Sequence, residues 1–163
     1  DKMSEENKKF WNFERKEKAK QAGFTESEIV TLASIVDEET DNEAEMPKIA
    51  GMYINRLHLN MPLQADPTVK FATKNFTAHR IYQKWLTIDN PYNTYKYRGL
   101  PPGPIRIPSV AAIDAVLNYV HHDYIYMCAK EDFSGTHNFA KTYEEHQKNA
   151  AKYAKALNEH GIN

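Results

Sequence analysis

All but one of the eight prolines fall within residues 60–108, a stretch without a clean helical or strand period. Proline fixes φ and offers no N–H, so neither a long helix nor a central strand can run through such a segment. The regular elements must therefore come from the two flanks, with residues 60–108 connecting them. Inside the connection, short helices fit near residues 67–74 and 79–85, and residues 90–108 read as a long ordered loop rich in proline and tyrosine. Ordered loops of that length are uncommon in compact domains, and function is the usual reason for them.

The flanks carry clearer signals. Residues 4–22 set Phe10, Trp11, Phe13 and Ala22 among Lys and Glu, the pattern of an amphipathic helix, and Gly23 closes it. Thr25-Glu-Ser-Glu28 is a capping box that opens a second helix to about Thr40. A third helix covers roughly residues 43–59, with Met46, Ile49, Ala50, Tyr53, Ile54 and Leu57 as its apolar stripe and Pro47 in its first turn. Ser109 caps a helix through Asn118. Residues 124–129 and 137–140 read as strands, and Asp132, Ser134 and Gly135 between them predict a hairpin. Thr142-Tyr-Glu-Glu145 is a second capping box, opening a last helix to about Glu159. The expected class is α+β: a mostly helical single domain over residues 1–163, with a small hairpin and one long ordered loop.

Composition narrows the function classes. The chain has 163 residues, 41% apolar and 26% charged, ordinary values for a soluble domain with a core. A net charge of -1, from 21 basic and 22 acidic residues, supplies no attraction to nucleic acid or to an anionic membrane. No run approaches the roughly 20 apolar residues of a spanning helix, and no signal peptide is visible. The chain opens at Asp1 inside a charged helical segment, as a piece of a longer protein would, so missing targeting segments carry no information on location. Cys128 is the lone cysteine, which excludes a disulfide framework and a Cys-based zinc site; it reads as a bystander thiol in an apolar strand.

The second helix ends in Leu32-Ala-Ser-Ile-Val-Asp-Glu-Glu-Thr40. Residues three and four apart share a helix face, so Glu39 lies over Ile35 and Val36 and in line with Leu32. Asp37 lies over Ala33 and Ser34. Glu38 lies over Ser34 and Ile35 and in line with Thr31, opposite most of the stripe, which removes it as an inward group. A carboxylate at the rim of apolar surface is desolvated, which raises its pKa toward that of a general acid. A solvated helix end is the competing reading, although acidic residues at a helix C-terminus oppose the macrodipole. On this segment alone both readings stand, and Asp37 stays beside Glu39.

Two loop motifs add chemistry: Met61-Pro-Leu-Gln-Ala-Asp-Pro-Thr68, and Asn90-Pro-Tyr-Asn-Thr-Tyr95 followed by Gly99-Leu-Pro-Pro-Gly-Pro-Ile105. Gln64, Thr68, Asn93 and Thr94 offer neutral donors and acceptors, and Tyr92, Tyr95 and Tyr97 offer flat amphipathic rings. Sugars present hydroxyls around apolar ring faces, which this mixture suits better than it suits phosphate or metal. Tyrosines that only pack on the core are the competing reading.

In order and spacing, Ala33-Ser-Ile-Val-Asp-Glu-Glu-Thr40, Asn55-Arg56, the two loop motifs, and His137-Asn-Phe139 with His146 resemble the endolytic murein transglycosylase family (MltG, YceG-like). The resemblance covers about residues 10–155. It implies a lyase that cuts nascent peptidoglycan strands internally, between N-acetylmuramic acid and N-acetylglucosamine, and leaves a 1,6-anhydro end. It implies a parent protein anchored in the bacterial cytoplasmic membrane, with this domain on the outer side, preceded by an anchor and a LysM-like subdomain that these residues do not include. Glycan strands are the implied partner, with peptidoglycan synthases and divisome proteins as further candidates, and no cofactor or metal. The family's catalytic Glu falls in the segment 37–39. The family has Glu at the positions matching both 37 and 39, so Asp37 here shifts the expectation to Glu39. Gln64, Asp66, Thr68, Tyr92, Asn93, Thr94, Tyr95, His137 and His146 are the expected substrate-binding residues. The family's Thr in the first loop is Ala65 here, so no role of that hydroxyl carries over.

Three other readings compete. A hydrolysing muramidase would pair Glu39 with a base about 5–9 Å away, for which Asp66 is the candidate, against a plain turn or capping role before Pro67. A metal site would draw on His121, His122, Asp123, His137 and His146, but adjacent His121 and His122 cannot face one way on a strand and no His-Glu-x-x-His spacing occurs. A non-catalytic peptidoglycan-binding or scaffold module would need the tyrosines but not Glu39.

Overall fold

The computed structural model describes residues 9–74 and 83–161. Helix α1 spans Phe13–Ala22, α2 Glu26–Glu39, α3 Met46–His58, α4 Asp66–Thr73, α5 Val110–Leu117 and α6 Tyr143–Glu159, while β1 Tyr126–Ala129 and β2 His137–Ala140 form an antiparallel pair. The class is α+β, as the pattern of elements predicts. The pairing sets Tyr126 opposite Ala140 and Ala129 opposite His137.

Local chemistry accounts for most boundaries. Gly23 closes α1 at φ 82°, with the Phe24 N–H returning to the Ala19 carbonyl at 3.0 Å. Thr25 and Glu28 form a full capping box on α2, with bonds of 2.9 and 3.1 Å. At Thr142 the hydroxyl accepts from the Glu145 amide at 3.2 Å, and among the described residues the return bond of a box is not made. Pro47 sits in the first turn of α3, where its missing N–H costs nothing.

Four expectations shift. The predicted helix over residues 4–22 is interrupted: Trp11 turns into the core, and Asn12 caps a fresh start by accepting from the Arg15 amide at 2.9 Å. Residues 4–8 of that prediction lie outside the described residues, as do 79–82 of the short helix at 79–85. Residues 83–87 form a 3₁₀ turn, Gln83–Thr87. The third helix starts three residues late because Asn42 folds residues 42–45 into a turn, its side chain accepting from the Ala44 amide at 3.1 Å. The first strand is shorter than 124–129 because the Tyr124 and Ile125 carbonyls turn to α3, accepting from Asn55 Nδ2 at 2.9 Å and Arg56 Nε at 2.6 Å.

The core centres on α2, which packs against α3 and α5, while α6 covers the hairpin. Ile29, Leu32, Ile35 and Val36 of α2 meet Ile49, Tyr53 and Ile54 of α3 and Val116 of α5. Residues 119–125 cross α3 closely enough to demand glycine. A Cβ on Gly51 would stand 2.2 Å from the Val120 carbonyl oxygen. The crossing is pinned on both sides: the Val120 N–H donates to the Pro47 carbonyl at 3.0 Å, and His122 Nε2 donates to the Lys48 carbonyl at 2.8 Å. The second imidazole nitrogen of His122 accepts from the Tyr124 amide at 3.1 Å, so this ring is wholly engaged in holding backbone.

A polar stripe on α2 holds the proline loop. Thr31, Ser34 and Asp37 recur every third residue and are all buried. Ser34 Oγ donates to the Thr31 carbonyl at 2.6 Å and accepts from the Ile105 amide at 3.1 Å. Asp37 Oδ2 accepts from the Ser109 amide at 2.8 Å, at the N-terminus of α5, where the helix dipole favours negative charge. The loop is thus stitched to α2 at both ends of its last stretch.

Gly51→Ala is expected to lower stability by about 2 kcal/mol, because the clash with pinned backbone outweighs the roughly 1 kcal/mol of helix propensity that Ala adds. A reduced denaturant midpoint at unchanged m-value is the readout. Asp37→Ala strands a buried amide and is expected to cost about 1–3 kcal/mol in the same measurement.

Candidate active site

The last turn of α2, the middle of α3, residues 63–70, the hairpin and the first turns of α6 enclose one cleft of about 440 Å³. Glu39, Gln64, Asp66, Tyr95, His137 and His146 all line it. Asp37 does not; its carboxylate is held at α5, on the other side of α2. Glu38 reaches the rim but is exposed and paired with Arg106 at 3.1 Å.

Four residues expected to contact substrate are built into the wall instead. Thr68 and Thr94 are buried and form a closed circuit with the backbone. The Ala65 N–H donates to Thr94 Oγ1 at 2.8 Å, and Thr68 Oγ1 donates to the Ala65 carbonyl at 2.7 Å. The 2.8 Å bond between the two hydroxyls must then run from Thr94 to Thr68, which leaves neither a proton for a sugar. Asn93 donates to the Leu86 and Ile88 carbonyls at 3.0 and 2.9 Å and accepts from the Tyr95 amide at 3.0 Å. Tyr92 packs on Phe71 with ring centres 4.8 Å apart, outside the cleft. These side chains shape the two loops. In particular they hold Gln64 at φ 50°, where its amide reaches the Thr94 carbonyl at 3.2 Å. A non-glycine residue in that region is held there by its surroundings.

At the cleft floor, the Tyr53 hydroxyl donates to Glu39 Oε1 at 2.5 Å. Burial pushes the Glu39 carboxyl up to about 7, and the negative charge of Asp66 adds to the rise. The Tyr53 bond and the Lys70 ammonium oppose it. Opposite, the Tyr95 hydroxyl donates to Asp66 Oδ1 at 2.5 Å. Burial raises the Asp66 carboxyl from its ordinary range, against that bond and Lys70. Two phenol–carboxyl pairs thus face a common space, and each carboxylate discourages ionisation of the phenols.

The hairpin wall is more rigid. Glu45 takes both the His137 amide, at 3.1 Å, and His137 Nδ1, at 2.5 Å, so that ring is fixed, and among the described residues its other nitrogen has no partner. His146 stacks on Tyr126 with centres 5.0 Å apart, and burial together with the Arg56 charge lowers its pKa. Burial pushes the Cys128 thiol up to about 11, which fits the inert role read from the sequence.

Sequence reasoning passed over Tyr53, Arg56, Lys70 and Glu45. Tyr53 was absorbed into the apolar stripe of α3. A usable signal existed: Tyr53 and Arg56, one turn apart on an otherwise apolar face, are polar tips with no local partner.

Known proteins resemble this chain. The YceG-like family is matched over residues 1–152. The endolytic murein transglycosylase of Bacillus subtilis (strain 168) is 43% identical over 131 residues, covering 80% of this chain and 36% of that protein. The endolytic murein transglycosylase of Streptococcus pneumoniae (strain D39) is 33% identical over 138 residues, covering 82% of this chain and 25% of that protein. The chain therefore spans about a third or less of these curated relatives. The 2.6 Å crystal structure of a yceG-like protein from Listeria monocytogenes superposes with a TM-score of 0.74 at 35% identity, over 82% of this chain and 43% of that one. With a family match over nearly its whole length and a shared fold, the chain belongs to the YceG-like family.

Proposed function

We propose that this domain cleaves glycan strands of peptidoglycan as a lytic transglycosylase, with Glu39 as its acid and base. The observation that carries the reading is a carboxyl at a cleft floor with a pKa raised to about 7, aligned by Tyr53. Such a group is protonated often enough near neutrality to act as an acid and is basic enough afterwards to recover a proton. Glu39 gives its proton to the glycosidic oxygen as the C1–O bond breaks toward an oxocarbenium-like state. The C6 hydroxyl of the same muramic ring then attacks C1, and its proton goes to the Glu39 carboxylate. A 1,6-anhydro end results, the leaving sugar departs with a free hydroxyl, and the enzyme is restored. Attack within one ring has a high effective molarity, so no activated water is required.

The similarity to proteins named endolytic murein transglycosylases supports peptidoglycan as substrate and the cell envelope as location; in this reading the domain lies on the outer face of the cytoplasmic membrane. Among the described residues no helix is long and apolar enough to cross a membrane, so anchoring in this reading falls to another part of the parent protein. Gln64, Tyr95, His137 and His146 orient the sugar. A hydrolysing muramidase is the second reading, favoured by one observation: Asp66 shares the cleft and interacts electrostatically with Glu39. Its bond from Tyr95 and the ammonium of Lys70 equally suit a role in stabilising positive charge at C1.

Glu39→Gln is expected to reduce release of anhydro-muropeptides by about 10²–10⁴-fold, the usual range for loss of a general acid. Mass spectrometry of wild-type products separates an anhydro end from a reducing end, and a reducing end would favour the muramidase.

Burial also makes Glu39 a stability liability at high pH. Its folded pKa, about 7, lies above its ordinary 4.5, so the unfolded chain releases this proton first and stability falls as pH rises through that window. Glu39→Gln is expected to match wild type near pH 4 and to exceed it above pH 7 by up to roughly 3 kcal/mol, read as a pH-dependent gap in melting temperature. A gap that stays constant with pH would contradict the buried-acid assignment.

A further inference from the structure

Arg56 is a charged group of the cleft that takes no part in the reaction described above. It is 5% exposed, on α3, one turn beyond the Tyr53 that touches Glu39. Its Nε donates to the Ile125 carbonyl at 2.6 Å and its Nη1 to the Pro62 carbonyl at 2.8 Å. The Gln64 side-chain oxygen is a third, distant acceptor at 3.4 Å. Every one of these partners is neutral, and no carboxylate pairs with Arg56 among the described residues. Burial lowers its pKa from the ordinary arginine value. A buried guanidinium is ordinarily met by a carboxylate, because removing its charge from water is costly.

The free edge of this guanidinium faces the cleft. Nη2 has no acceptor among the described residues. It is not sealed either, since among those residues the only buried side-chain nitrogen or oxygen lacking a partner is His146 Nδ1. Arg56 itself lines the cleft, and its guanidinium lies 5.2 Å from the centre of the Tyr126 ring, which orients it. With Nε and Nη1 tied back to Ile125, Pro62 and Gln64, Nη2 is the open donor, and a charge-assisted bond from it suits one oxygen of a carboxylate. Lys70 also lines the cleft, but its charge acts on Glu39 and Asp66.

We infer that Arg56 is a specificity-determining residue whose free guanidinium edge binds a carboxylate of the glycan substrate. The inference rests on the glycan-cleaving reading for the identity of that carboxylate. Muramic acid differs from glucosamine by a lactyl ether that ends in a carboxyl group. Reading it would place a muramyl unit, not a glucosaminyl unit, on the acid. In strands that carry stem peptides this carboxyl is an amide, and the carboxylates then belong to the stem.

Calorimetric binding to the Glu39→Gln chain, which holds strands without turnover, tests both sources. The first pair of ligands is a stem-free tetrasaccharide with free lactyl carboxylates and its methyl ester. The second pair is a stem-bearing tetrasaccharide and the same compound with its stem carboxylates amidated. The free acid is expected to bind at least tenfold more tightly in one pair, and that pair identifies the source. In the Glu39→Gln, Arg56→Gln double variant the difference is expected to vanish while affinity for the neutral ligand is retained. Equal affinities in both pairs, no binding of any ligand, or undiminished discrimination in the double variant would overturn the inference. Should the double variant fail to fold, the two ligand pairs alone decide. Wild-type protein that prefers the free acids yet cleaves no strand would keep the role of Arg56 and reject the catalytic reading, so the two failures are distinguishable.

Discussion

Seven consecutive residues of α2, from Thr31 to Asp37, are buried, and everything else in the structure answers to that. A helix buried on all sides cannot leave a polar side chain unpartnered, since each orphaned group costs about 1–3 kcal/mol. Thr31 is satisfied by the Ser27 carbonyl of its own helix, while Ser34 and Asp37 take the Ile105 and Ser109 amides and so fix where the proline loop and α5 lie. In the final turn Glu38 turns to solvent and Glu39 meets the cleft. The same burial that orders the loop on one face desolvates the carboxyl on the other.

The cleft works by opposing effects of comparable size. Burial alone would push Glu39 far into the neutral form, and Asp66 pushes the same way. Tyr53 and Lys70 draw it back, so the acid is poised near neutrality rather than locked as a permanent proton holder. Asp66 is balanced similarly by Tyr95 and Lys70. The two carboxyls differ in setting: Glu39 lies at the end of a core helix, whereas Asp66 opens a short one at the exposed edge. That asymmetry suits one group for moving a proton and the other for holding charge.

Much of the loop chemistry that looked like sugar recognition serves to hold backbone. Asn93, Thr94 and Thr68 are neutral polar residues in proline-rich loops, the right types for a glycan surface and equally for satisfying buried amides. Sequence cannot separate the two uses, because both need the same donors and acceptors and differ only in which side of the loop faces out. Burial decides it, and burial depends on contacts between residues 65 and 94, which lie far apart in the chain. Arg56 shows the converse. The sequence assigns it no role in the site, and only the crossing of residues 119–125 over α3 turns it into a buried charge.

The sequence alone determined the element order, the caps that start α2 and α5, and the hairpin between 129 and 137. These are local properties, set by dihedral preferences and side chains within one or two turns of each other. Of the acids, the period removed only Glu38 and left Asp37 and Glu39. Only the tertiary structure separated them, by giving Asp37 an amide of α5 and Glu39 the hydroxyl of Tyr53. The reason is that a carboxylate's protonation depends on its neighbours in space and on water exclusion, and neither is encoded within one turn of its own helix.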